Sequence, residues 1–189
     1  MGINLQKGGN INLSKEAPGL TQVKVGLGWD VNQYDTGGDF DLDVSVAMLG
    51  ANGKLINEQS FVFYNNLQDP TGSVKHSGDN RTGVGSGDDE TVDVNLATVP
   101  AEVETIRFAV TIHEAEARRQ NFGMVHNAYI RILDPANNNE IARYDLTEDF
   151  STETCVIPGE LYRHGADWKF RAVGAGYTGG LPAYVASIQ

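Results

Sequence analysis

The sequence predicts an all-β fold, a β-sandwich of two mainly antiparallel sheets with long acidic loops and one short helix, on three observations. Short segments alternate apolar and polar residues with the period of a half-buried strand. Clusters of Gly, Asn, Asp and Pro separate them, each with the chemistry of a turn. Only residues 114–120 have helix-forming composition, and they are too few to organise a core. The 189 residues fall short of the roughly 250 at which single cores split, so one domain over residues 1–189 is expected.

In chain order, residues 22–27 place Val23, Val25 and Leu27 on one face and read as a strand. Residues 40–48 set Phe40, Leu42, Val44, Val46 and Met48 on one face and Asp41, Asp43 and Ser45 on the other. Gly50, Ala51, Asn52 and Gly53 form a turn signal, and residues 61–64 after it complete a hairpin. Residues 65–89 are polar and without a period; a loop of that length is expected to be functional or tied down. Residues 105–112, 128–133, 140–144, 154–162 and 168–173 are β-branched or aromatic and read as strands, with a turn at 135–139. The glycine-rich residues 174–180 read as coil ending the last strand. Many short strands with polar turns point to a sandwich.

The hydrophobic fraction is 40% and the charged fraction 21%, ordinary for a folded domain. No apolar run exceeds four residues, whereas a membrane helix needs about 20. Residues 1–9 lack the basic start and apolar stretch of a leader. Cys155 is the single cysteine, so an internal disulfide and a thiolate metal cluster are excluded, and a reducing cytoplasm fits best. It sits in an apolar strand, where an inert core thiol is expected. The net charge of −11 argues against nucleic acid and against simple attraction to anionic lipid.

That charge is concentrated. Residues 30–43 carry five acids and no base, and residues 78–93 carry five acids against Arg81 alone. These stretches hold nine of the eleven net negative charges. A solubilising surface would scatter its acids among lysines, whereas crowded carboxylates repel one another unless a cation compensates. In residues 78–90, Asp79, Asn80, Asp88, Asp89 and Glu90 lie among Gly78, Gly83, Gly85 and Gly87. Calcium takes six to eight oxygens from carboxylates, amides and backbone carbonyls, and glycines let such a loop turn its oxygens inward. Asp41 and Asp43 are a second source of ligands, since strand alternation places them about 6.6 Å apart on one side; Asp39, Asp93 and Glu114 are further candidates. An EF-hand is ruled out because Val44 stands where its loop needs glycine. A phosphate-binding loop is ruled out by the missing Lys-Ser/Thr ending and by the neighbouring acids. A solvated acidic surface is the plain alternative.

Catalytic signals in the sequence are weak. There is no Gly-x-Ser-x-Gly elbow, and His113-Glu114 lacks the second histidine of a zinc protease because Ala117 stands there. His76, His113, His126 and His164 show no ligand spacing. A binding module is therefore expected, and a divalent-metal-dependent hydrolase of phosphorylated substrates is the alternative, since carboxylate clusters also hold catalytic ions.

The chain resembles the TerD family over nearly its whole length. The resemblance is carried by Leu5, Lys7 and Gly8, by residues 25–29 (VGLGW) and by residues 40–43 (FDLD). It continues in residues 78–80 (GDN), 87–90 (GDDE), 127–132 (NAYIRI), 159–163 (GELYR) and 168–173 (WKFRAV). It implies a calcium-binding β-sandwich of a tellurite-resistance and stress-response system, with Ca2+ as its cofactor. The metal ligands carried over are Asp41, Asp43, Asp79, Asn80, Asp88, Asp89 and Glu90. As a binding module the chain is expected to take calcium ions and other proteins of a stress-response complex as partners, with assembly at the membrane surface as one setting, and its net charge argues against nucleic acid.

Overall fold

The protein is seen as a computed structural model that describes residues 2–30, 40–78, 87–146 and 150–189. Among these residues twelve strands build two six-stranded sheets. The strands are β1 (Ile3–Asn4), β2 (Asn10–Asn12), β3 (Gln22–Gly28), β4 (Leu42–Leu49), β5 (Phe61–Val62) and β6 (Val74–His76), then β7 (Glu90–Asn95), β8 (Thr105–Ile112), β9 (Tyr129–Asp134), β10 (Asn139–Asp145), β11 (Cys155–His164) and β12 (Asp167–Tyr177). One sheet has the order β1-β10-β9-β3-β7-β6 and the other β2-β12-β11-β8-β4-β5. Every pairing is antiparallel except β1 with β10.

The alternation read from the sequence sets the core. Val23, Val25 and Leu27 of β3, Val92 and Val94 of β7, and Ile130 and Ile132 of β9 belong to one buried cluster with Leu42, Val44, Val46 and Met48 of β4 and Ile106, Phe108 and Val110 of β8. Such a layer is the interior of a sandwich, where branched side chains of both sheets interdigitate. Truncating Phe108, fully buried, would cost about 3–5 kcal/mol. The edge strand β1 is only two residues long, and brevity limits its use as a template for further strands.

Among the described residues three short α-helices accompany the strands, where one is expected from composition: α1 (Leu13–Glu16), α2 (Ala115–Arg118) and α3 (Gly180–Ile188). The last falls just past the glycine-rich segment read as coil. Strand β12 runs through that segment to Tyr177, and α3 then folds back onto the outer face of the second sheet. There Tyr184 and Ile188 pack on Ala47, Leu49, Ala109, Cys155 and Ile157. This second apolar layer explains why all eight residues of β4 are buried, although its pattern alternates. Within the stretch read as an unstructured loop, Val74–His76 pairs with β7, so that segment is tied to the sheet. Among the described residues no helix is long and apolar enough to cross a membrane.

Candidate functional site

The two acidic stretches meet at one end of the sandwich, through contacts that start at the end of β3. Strand β3 pairs with β7 at Leu27 and Glu90, and the chain then leaves the sheet through Trp29 and Asp30. The Asp89 N–H donates to the Leu27 carbonyl at 2.7 Å, and Asp89 Oδ2 accepts from the Trp29 N–H at 2.9 Å. Burial, with the nearby Asp88 and Asp30 charges, holds the Asp89 carboxyl above its ordinary range, against the Trp29 hydrogen bond. Asp30 itself accepts from Asn127 Nδ2 at 2.6 Å.

Glu90 joins the sheets. It opens β7 on the inward side, with Val92 and Val94, and is 1% exposed. Its Oε2 accepts from the backbone N–H of Val44 at 2.7 Å. Strand β5 pairs with β4 only at Val46 and Ala47, so this carboxylate takes the place of a strand partner at the open edge beside Asp43. His76 Nε2 lies 3.5 Å from the same oxygen, and both side chains are buried. Because His76 Nδ1 accepts from the Gly78 N–H at 2.9 Å, the ring proton of the neutral imidazole sits on Nε2, facing Glu90.

Asp41 and Asp43 are nearly buried. Arg118 approaches Asp41 at 4.0 Å, and His113 Nδ1 lies 3.7 Å from Asp43 Oδ2. The His113 N–H also donates to the Asp41 carbonyl at 2.8 Å. The segment carrying His113 and Arg118 is bent on non-glycine residues: Glu114 (φ 51°) and Arg119 (φ 54°) flank α2 in the left-handed region, a cost that clusters at functional sites.

Asp88 turns to the outer face of the first sheet. Arg131 grips it with Nε at 2.7 Å and a terminal nitrogen at 3.1 Å, and the Tyr129 hydroxyl donates to it at 3.1 Å. Burial and the Asp88 charge push the Tyr129 phenol up to about 12. Glycines make this possible. A side chain on Gly26 would overlap the Asp88 carboxylate, and one on Gly28 would overlap the Tyr129 ring, so the VGLGW segment is a trough cut into the sheet for those groups.

Of the sequence-predicted ligands, then, Asp89 is brought against Trp29 and Glu90 against the Val44 backbone, while Asp41 and Asp43 lie beside Arg118 and His113. Asp88 is committed to Arg131. Asp93 lies on the exposed face of β7, 3.8 Å from Lys24, because it stands three residues from Glu90 on an alternating strand. Glu114 is exposed and 3.8 Å from Arg118. Asp39, Asp79 and Asn80 lie outside the described residues. Among the described residues no group of three or more His, Cys, Asp or Glu side chains is close enough to hold a metal ion. Sequence reasoning missed Arg118, Arg131 and His76, whose spacing carries no signal. It counted Asp30 in the acidic stretch without nominating it.

A TerD domain is recognised across residues 1–187. The chain is 59% identical over 181 residues to general stress protein 16U of Bacillus subtilis (strain 168), covering 96% of this chain and 94% of the relative. It is 57% identical over 186 residues to tellurium resistance protein TerD of Serratia marcescens, covering 98% and 96%. Among solved structures, a Streptomyces coelicolor homologue of telluride resistance protein superposes with a TM-score of 0.71 over 88% of this chain and 96% of that one, at 22% identity, and so shares the fold. A match spanning the whole sandwich, together with relatives more than half identical to it, places the chain in the TerD family, whose members include tellurium resistance and general stress proteins.

Proposed function

We propose that the protein is a calcium-binding module of a tellurite-resistance and general stress-response system, without a reaction of its own, whose metal-ordered loops form a surface for protein partners in the cytoplasm. The observation that carries this reading is the meeting of the two acidic stretches. Asp89 feels the charge of Asp30, and Glu90 is bonded to the backbone next to Asp43. Segments 46 and 60 positions apart in sequence are thus joined at Glu90 with Val44 and at Asp89 with Trp29, and an oxygen-seeking divalent cation relieves the repulsion of the acids they carry.

The donor chemistry fits calcium. Asp41, Asp43 and Asp89 would supply carboxylate oxygens, with Asp39, Asp79 and Asn80 from the adjoining segments; Glu90 and Asp88 would set the frame. Calcium tolerates such irregular oxygen cages better than magnesium does. The test is a thermal melt in excess calcium against chelator. A ligand that binds only the folded state stabilises by about 2.7 kcal/mol at one hundred times its dissociation constant, a rise of about 5–11 °C for a domain of this size. Superimposable melts would end the proposal, and a rise with magnesium alone would favour the hydrolase alternative.

A further inference from the structure

We infer that Asn52 is a site of spontaneous deamidation, and that its isoaspartyl product frees the end of α3. Asn52 is the one asparagine of the chain that a glycine follows; every other precedes a residue with a side chain. Asn52 and Gly53 are both exposed in the turn that follows β4. The chemistry needs no enzyme. The backbone nitrogen of Gly53 gives up its proton and attacks the side-chain carbonyl carbon of Asn52. The bond from that carbon to the amide nitrogen breaks, ammonia leaves, and a cyclic imide closes. Water then opens the ring at either carbonyl, leaving aspartate or isoaspartate, so each ammonia released is matched by a water consumed and nothing is oxidised or reduced.

Local structure leaves the attack open. Gly53 has no side chain to crowd its nitrogen, and nothing lies within 4 Å of where a Cβ would stand, so no neighbouring segment shields the peptide. A glycine also lets that peptide rotate into the attacking geometry more readily than any other residue. What holds the two groups apart is a pair of hydrogen bonds at the surface. The Gly53 N–H donates to the Gly50 carbonyl at 2.9 Å, and Asn52 Oδ1 accepts from the Lys54 N–H at 3.0 Å. An exposed turn opens locally at little cost, and the nitrogen and the carboxamide then meet.

The same turn fastens α3. The Gly50 N–H donates to the Lys54 carbonyl at 2.9 Å and closes the turn, and the Leu55 N–H donates to the Ile188 carbonyl at 2.8 Å. Lys54 Nζ reaches the Ser187 carbonyl at 3.3 Å. Leu55 also packs on the apolar layer that holds Tyr184 and Ile188. An isoaspartyl link carries the backbone through the former side chain, which lengthens it by a carbon between residues 52 and 53. The Lys54 N–H loses its acceptor, the closing bonds of the turn fall out of register, and Lys54 and Leu55 are drawn away from the last carbonyls of α3. The turn follows Leu49, at the opposite end of β4 from Asp43, so the calcium reading is not involved.

The experiment ages the full native chain in neutral buffer with chelator. Peptide mass spectrometry follows the amide-to-acid mass gain at each asparagine, an isoaspartyl methyltransferase counts the isoaspartate, and amide hydrogen exchange reads residues 181–188. Asn52 should convert ahead of every other asparagine. Gly53→Ala, which crowds the nitrogen and restricts its rotation, should slow conversion at least about ten-fold. Because that variant strains a positive φ, Asn52→Gln serves beside it: it keeps an amide but would have to close a larger ring, and it should stay unmodified with α3 protected through the same ageing. In the converted parent, exchange in residues 181–188 should quicken at least about five-fold, as when one hydrogen bond no longer holds the helix end. Another asparagine converting first, conversion at the parent's rate in both variants, or unchanged exchange in the converted protein would each overturn the inference.

Discussion

Removing the Glu90 carboxylate should loosen the joint between the sheets. The perturbation is Glu90→Ala, compared with Glu90→Gln. In the native protein Glu90 Oε2 accepts from the Val44 N–H at 2.7 Å, fully buried. A hydrogen bond to a charged acceptor contributes about 1.5–3 kcal/mol, and a buried donor left without a partner costs about 1–3 kcal/mol. These are overlapping accounts of the same contact, so Glu90→Ala should cost about 3 kcal/mol. Loss of the carboxylate facing His76 acts in the same direction. Glu90→Gln keeps an oxygen for Val44 and gives up the charge, so it should cost about half as much. For 189 residues the larger figure corresponds to a fall in Tm of about 6–12 °C. Urea unfolding in chelator, with the midpoint and slope fitted separately, measures both variants free of any bound ion. If the alanine variant lost less than about 0.5 kcal/mol, or if glutamine were the worse replacement, the joint would not be what holds these strands together.

Asp89 should behave in the opposite way. Its folded-state pKa is raised, so this group favours the native state below the unfolded carboxylate value near 3.8, and that contribution is lost as pH rises through its folded value. Asp89→Asn, which retains an acceptor for the Trp29 N–H, should therefore raise the Tm of the metal-free protein at pH 7 while removing most of the calcium-dependent rise; a lower Tm in chelator would contradict the crowding. Gly26→Ala should displace Asp88 from Arg131 and cost about 1–3 kcal/mol, read as a lower urea midpoint, whereas Gly53→Ala, at a turn with open space around it, should cost about 1 kcal/mol from its positive φ alone. Cys155 is buried, and burial pushes its thiol up to about 12, so a thiol reagent at pH 7 should label it only on unfolding; rapid labelling of the native protein would refute the packing of α3.

Much of the sandwich was legible because strand formation here is written in a local pattern. The alternation in residues 22–27, 40–48 and 105–112 corresponds to β3, β4 and β8 within one or two residues. The same reading gave the inward face of β4 correctly and placed Asp41 and Asp43 opposite it. It failed where the signal was weak or masked by composition. Val74–His76 is too short to show a period. Residues 90–95 alternate well, but their acids drew attention to charge before strand. In α3, Gly179, Gly180 and Pro182 look like breakers, yet they occupy the helix entry, where positive φ and a missing N–H cost little.

The candidate site divides along the same line. Charge counting along the chain was enough to locate two acidic stretches and to ask what compensates them. It could not say which carboxylates already have a cation. Asp88 and Asp89 are neighbours in sequence, yet one is gripped by Arg131 on the outer sheet face and the other turns to Trp29.

By itself the sequence determined the sandwich, its family and the segments that carry the acids, because apolar periodicity, turn residues and local charge are properties of neighbours along the chain. The tertiary structure alone decided that Glu90 spans the sheets to Val44, that Asp93 faces solvent, and that Arg118 and His113 stand over Asp41 and Asp43. Those outcomes depend on which strands pair and in what register. Register is fixed by packing two apolar faces together across long stretches of chain, and no local pattern contains it.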